Sequence, residues 1–217
     1  MTVRPIVISG EPVLHRRADA VEVIDDGIRR LVADMFETMD AAHGVGLAAP
    51  QIGVGLRIFT WGMANDDGVP ERGVLINPYV TASKPAPGRP DPDEEAEGCL
   101  SVPGESFPLR RGEIAQVTGQ DLDGREVAFT ATGWFARCMQ HEYDHLGGFL
   151  YLDRLDDRSS RRARRAVKAA GWGTPGHSWM PGVDPDPFGH DDDDGHDHES
   201  HDHEAHAHHH HPHEHDL

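Results

Sequence analysis

Gly133-Trp134-Phe135-Ala136-Arg137-Cys138-Met139-Gln140-His141-Glu142-Tyr143-Asp144-His145-Leu146-Gly147-Gly148 is the stretch on which the fold turns. From Trp134 to Leu146 it holds no Gly or Pro and mixes bulky residues, the pattern of a helix buried on most sides, and the Gly147-Gly148 pair ends it. His141 and His145 stand four residues apart, so a helix puts both imidazoles on one face, where they can ligate a single metal ion. Glu142 adjoins the first of them. A carboxylate there can take a proton from a water activated by the metal and hand it to a leaving amine, the division of labour in metal-assisted hydrolysis. Alone, the motif also fits two ordinary helix histidines.

Working outward, no further His follows His145 before His177, so a third ligand has to come from elsewhere. Cys99 is the natural candidate, because a thiolate binds divalent transition metals strongly and Gly98 beside it allows close backbone approach; the alternative is a buried apolar cysteine. Ser83 to Glu95, rich in Pro, Gly and acid, reads as the surface loop that leads to it. Ile114 to Leu122 and Arg125 to Thr132 alternate on either side of Asp123-Gly124, which predicts a tight hairpin. Leu56 to Thr60 and Val74 to Ile76 read as short strands, broken by Gly62, Gly68, Pro70 and Pro78. Ile28, Leu31, Val32, Met35, Phe36 and Met39 share one face of a helix predicted over Asp25 to His43, with Asp25 or Asp26 as cap and Gly44 as left-handed stop.

Charge divides the 217 residues unevenly. All 20 Lys and Arg and 26 of the 38 Asp and Glu lie within residues 1–183, a balance of −6, while the last 34 residues carry −12 and 12 of the 17 His. The acidity therefore belongs to an appendage, and wholesale DNA binding is not expected. Residues 1–172 read as one catalytic domain and 173–217 as a Gly/Pro/Asp/His-rich tail without structure, too poor in apolar residues to offset the entropy of ordering. No apolar run reaches a membrane span, the start lacks a signal-peptide pattern, and two cysteines make no disulfide framework, which together predict a cytoplasmic protein.

Three segments, Gly44-Val45-Gly46-Leu47-Ala48-Ala49-Pro50-Gln51, Glu97-Gly98-Cys99-Leu100-Ser101 and His141-Glu142-Tyr143-Asp144-His145, resemble in order and spacing the three signature motifs of bacterial peptide deformylases. The resemblance runs from about Pro5 to about Ala170. It implies an α+β fold, with antiparallel strands around a central metal-binding helix and the first helix packed outside. It implies a hydrolase that removes the formyl group from formyl-methionyl nascent peptides and releases formate. By matching position, Cys99, His141 and His145 would hold the metal, iron(II) in the family, with zinc, nickel or cobalt as substitutes. Glu142 would be the general base and acid, and Gln51 and the Leu100 amide would stabilise the oxygen anion. Val45 and Gly46 would meet the substrate backbone, while Val45, Trp134 and Cys138 would wall the methionine pocket. Arg111 would pair with Asp144. Where relatives often carry an aliphatic residue this chain has Arg137, which alters the shape and charge expected of that pocket.

The same residues also fit a metallopeptidase that cleaves internal amides and a metal-storage protein. The helix predicted over residues 159–170, with Arg161, Arg162, Arg164, Arg165 and Lys168, is a solvated face or, by the resemblance, a ribosome-docking helix of a monomeric enzyme. In the tail, neutral imidazoles interleaved with carboxylates predict several weakly held additional metal ions.

Overall fold

The first helix, α1 (Asp26–Ala41), begins where Asp25 turns its carboxylate onto the amide of Ile28 at 2.9 Å, partnering one of the donors a helix start leaves open. The computed structural model describes residues 2–64 and 70–189. Leu31, Val32, Met35 and Met39 form the buried face that their spacing predicts, packed against Leu47, Ile58 and Ile76. The helix ends earlier than expected, and His43 (φ 51°), not Gly44, takes the left-handed turn. Gly44 answers a different need, since a Cβ there would lie 3.0 Å from Cδ1 of Leu100.

The strands in chain order are β1 (Ile6–Val7), β2 (Gly46–Ala48), β3 (Ile58–Ala64), β4 (Pro70–Ala82), β5 (Ala96–Gly98), β6 (Ser106–Pro108), β7 (Ile114–Gln120), β8 (Glu126–Thr132) and β9 (Ser178–Trp179). Five of them make one antiparallel sheet in the order β2-β3-β4-β7-β8. β5 and β6 form a ribbon of their own, inserted between β4 and β7, and it is this excursion that delivers Cys99. The predicted hairpin is β7–β8, closed by Asp121 to Arg125 with Gly124 at φ 74°.

Pro78 does not break the strand as expected. β4 continues through it because the register slips between Ile76 and Tyr79, a bulge that excuses the missing proline N–H. Asn77 takes the left-handed turn there (φ 50°), and its side-chain amide is tied to both the N–H and the C=O of Val21, at 2.8 and 2.9 Å.

The central helix α2 (Gly133–Gly147) lies against this sheet, its Met139 and Leu146 fully buried among Phe59, Leu75, Val117 and Ala131. Gly148 ends it in the left-handed conformation (φ 81°). α3 (Asp157–Ala169), capped by Asp156 on the Ser159 amide at 2.7 Å, buries Ser159 and Ala163 and exposes Arg161, Arg162, Arg164, Arg165 and Lys168.

The expectation of a structureless tail from residue 173 is corrected through Gly189. β9 pairs antiparallel with β1, Trp179 is buried in the core beside α1, and Phe188 packs against it. Low overall apolar content hid two aromatic anchors, which suffice here because a ready strand edge supplies the backbone bonds. The His-rich stretch 190–217 lies outside the described residues.

Candidate active site

α2 presents His141 and His145 one turn apart, and the turn after β5 brings Cys99 up to them. Cys99 Sγ lies 3.3 Å from His145 Nε2, which lies 3.3 Å from His141 Nε2, and the three donor atoms fall within 4.8 Å of one another. A tetrahedral metal with bonds of about 2.0–2.3 Å spaces its ligand atoms about 3.4–3.6 Å apart, so the cluster has the dimensions of a metal site. Its chemistry fits as well. His141 Nδ1 is bonded to Glu97 Oε1 at 2.7 Å, which fixes the proton on that nitrogen and leaves the Nε2 lone pair facing the cluster. One thiolate and two imidazoles suit iron, zinc, nickel or cobalt, and three protein ligands leave a position for water or substrate.

Glu97, to which the sequence motif assigns no role, holds His141 from behind. It is buried, and it also receives Arg111 through Nε at 3.0 Å and Nη2 at 2.7 Å. Burial pushes its carboxyl up, but the hydrogen bonds and charges of His141 and Arg111 prevail and bring it down to about 2. Arg111 extends the chain to Asp144 at 2.6 Å, the bridge expected from sequence, and Arg154 reaches the other Asp144 oxygen at 2.8 Å. The signal for Glu97 was weak because it follows an acidic run that reads as solvated loop.

Glu142 faces the same space from α2. It is buried, and its Oε2 has no hydrogen-bond partner among the described residues. Burial lifts its carboxyl to about 7; the charges of His141 and Arg111 oppose the rise and that of Glu97 adds to it. Gly46 makes room for it, since a Cβ there would stand 2.3 Å from Glu142 Oε1. Gln51 is buried and held in one orientation by the Ala48 amide, which donates to its Oε1 at 2.8 Å, so that Nε2 points to Cys99 Sγ at 3.6 Å. The Leu100 N–H donates to no acceptor among the described residues.

A cavity of about 230 Å³ opens beside the cluster. Val45 and Trp134 stand at its exposed rim, and Cys138 is buried, its thiol 3.7 Å from the Val45 carbonyl. Burial, reinforced by the charges of Glu142 and Glu97, raises the Cys138 thiol well above its ordinary range, so it stays neutral. Arg137 also lines the cavity; it donates to the carbonyls of Leu109 at 2.8 Å and Glu95 at 3.2 Å, stands 3.6 Å from Glu97 Oε2, and holds its guanidinium 5.0 Å from the Trp134 ring centre, so its charge is shared with the carboxylate behind His141.

Three metal-type donors with a buried carboxylic acid and an amide donor beside them are equipment for metal-dependent hydrolysis. Comparison with known proteins narrows this class. The family model described as polypeptide deformylase matches residues 3–161, and the chain belongs to that family, metallohydrolases that remove the N-terminal formyl group from nascent polypeptides. It is 57% identical over 197 residues to the peptide deformylase of Mycolicibacterium paratuberculosis, covering 88% of this chain and all of that one. The peptide deformylase of Mycobacterium marinum is 55% identical with the same coverage. Among solved structures, the peptide deformylase of Thermus thermophilus superposes with a TM-score of 0.65 at 40% identity, over 77% of this chain and 94% of that one. The enzyme from Synechococcus elongatus in complex with actinonin gives 0.66 at 36% identity, over 77% and 87%. Both rivals, the internal peptidase and the storage protein, fall away with this membership. Among the described residues no helix is long and apolar enough to cross a membrane.

Proposed function

We propose that the chain deformylates nascent peptides with iron(II) held by Cys99, His141 and His145, with Glu142 moving the protons and Gln51 and Leu100 binding the oxygen anion. The observation that carries this is the buried Glu142 carboxyl, with an oxygen that no described residue occupies, next to three metal-type donors within 4.8 Å of one another. When bound, the ion lowers the pKa of water and polarises the formyl oxygen, and zinc, nickel or cobalt would supply the same chemistry.

β2 is the edge of the five-stranded sheet, so an extended peptide can add to it beside Val45 and Gly46, with its methionyl side chain between Val45, Trp134 and Cys138. Glu142 Oε2 takes the proton of the attacking water as the new C–O bond forms. It then gives a proton to the methionyl nitrogen as the C–N bond breaks, releasing formate and a free amine. Gln51 Nε2 and the Leu100 N–H donate to the carbonyl oxygen as it becomes an anion, where losing one such donor costs about 3 kcal/mol of barrier. The test is formate release from a formyl-methionyl peptide by protein purified without oxygen, with metal content measured beside it. Iron near one ion per chain with activity that fades in air supports the proposal. Zinc or nickel at that level, with activity stable in air, overturns iron.

The remaining readings are that the enzyme is a cytoplasmic monomer, that exposed basic α3 docks on the ribosome, and that the segment 190–217 binds several further ions. RNA phosphates favour the clustered Arg161, Arg162, Arg164, Arg165 and Lys168, with an affinity that falls steeply with salt. Reversing Arg161, Arg165 and Lys168 to Glu is expected to abolish cosedimentation with ribosomes while sparing turnover of a short peptide; unchanged cosedimentation returns α3 to a solvated face.

A further inference from the structure

Residues 173–189 follow the stretch that the family model matches, residues 3–161, and run back across the molecule to the active site. Their path is held at several points. The Gly173 N–H donates to the Ser9 carbonyl at 3.0 Å, the Ile8 N–H to the His177 carbonyl at 3.0 Å, and β9 pairs with β1. Gly176 donates its N–H to the Glu11 carboxylate. Two contacts at the far end concern the chemistry. Trp179 Nε1 donates to the Leu100 carbonyl at 2.9 Å, and Phe188, with its ring centre 6.3 Å from that of Trp179, lines the cavity that holds Cys99, His141 and Glu142.

The turn that carries Cys99 is thereby tied down on three carbonyls. Val102 N–H donates to Cys99 O at 2.8 Å, Trp179 takes Leu100 O, and Ser9 N–H takes Ser101 O at 2.9 Å. Only the second of these comes from a side chain, and it comes from the strap. An oxyanion donor works because it is already oriented before charge develops, so a bond that fixes the Leu100 residue acts on the barrier. Phe188 sits on the Leu100 side through Trp179, whereas Trp134 and Cys138 reach the cavity from α2. A peptide lying along β2 therefore meets apolar surface from the strap as well as from the helix.

We infer that the strap 173–189 is a built part of this active site: Trp179 is a positioning residue for the Leu100 oxyanion donor, and Phe188 is a wall that selects apolar side chains in the residue after methionine. The inference rests on the proposed role of Leu100, and the two are tested separately. In full-length protein, Trp179→Phe keeps a smaller aromatic ring in the buried position and removes the N–H, so melting temperature is measured beside kinetics. It is expected to lower kcat about fivefold, with KM for a short formyl peptide and metal content within twofold of the parent. Phe188→Ala is expected to lower kcat/KM about fivefold for formyl-Met-Leu and less than twofold for formyl-Met-Gly. It is also expected to weaken binding of the product Met-Leu in calorimetry. A merely structural strap would lower thermal stability and reduce both peptides alike. Trp179→Phe with unchanged kcat, or Phe188→Ala with equal losses on both peptides, overturns the inference while leaving deformylation by the parent protein intact. Deformylation absent from the parent protein itself would overturn the proposed site instead.

Discussion

Replacing Gly46 with Ala adds one methyl group at the most crowded point of the site. Its Cβ would stand 2.3 Å from Glu142 Oε1, 2.8 Å from Cδ and 3.0 Å from Cγ. The backbone of Gly46 needs no positive φ, so the strain is all in this contact. Gly46 cannot withdraw, because it is paired with Trp61 in the β2–β3 ladder. The Glu142 carboxylate must therefore retreat by about 1 Å to restore ordinary carbon–oxygen separation. A misplacement of about 1 Å in a catalytic group costs about 100-fold in rate, and overpacking of a filled site costs about 1–3 kcal/mol of stability. Neither Cys99, His141 nor His145 is among the nearest neighbours of that Cβ, so metal content should match that of the parent. Formate release, coupled to a formate-consuming dehydrogenase, measures kcat, with melting temperature and metal content on the same sample. A kcat within threefold of the parent would refute the placement of Glu142 against β2, and a loss fully explained by missing metal would do the same.

Arg111→Met takes from buried Glu97 the arginine that bonds both its oxygens, leaving it His141 and the more distant Arg137, and leaves Asp144 only Arg154; it is expected to destabilise the fold by about 3 kcal/mol and to weaken metal binding; a loss under about 1 kcal/mol in denaturant titration contradicts it. Asp34 is pushed up by burial, but bonds from Arg4 and the Thr2 amide prevail and hold its carboxyl below 3.8, so it stabilises the fold above about pH 4 and stops doing so as pH falls through its folded value. Asp34→Asn should thus cost about 1 kcal/mol at pH 7, with the gap closing toward pH 3; a gap constant with pH contradicts it. Removing residues 190–217 should leave melting temperature and metal-replete turnover unchanged and reduce zinc or nickel stoichiometry from several ions to about one; equal stoichiometry in both proteins contradicts a metal-binding tail.

Elements whose cause is local were legible in the residues. The α1 face, the α2 pair His141 and His145 and the Asp123-Gly124 hairpin follow from spacing and turn chemistry that act over a few positions, while α3 starts two residues before the expected 159 because Asp156 caps it. Partners brought together by topology were less so. Glu97 meets His141 only because the β5–β6 ribbon folds back beside α2, and nothing in an acidic stretch distinguishes the one carboxylate that is buried. β4 passes Pro78 because the Asn77 side chain holds the bulge against Val21, which lies 56 positions earlier in the chain. Trp179 and Phe188 lie in a segment whose composition predicts disorder, and their burial depends on the free edge of β1 and on the cavity wall, neither of which is a local property.

The most direct measurement concerns Glu142. Glu142→Ala, purified without oxygen, should retain the metal content of the parent, because Glu142 is no ligand, and should release formate at less than a tenth of the parent rate, because no other described side chain is assigned the proton. Turnover above a tenth of the parent rate with metal in place would contradict the assignment of the base, and loss of the metal from this variant would contradict the separation of ligand and proton-transfer roles on α2.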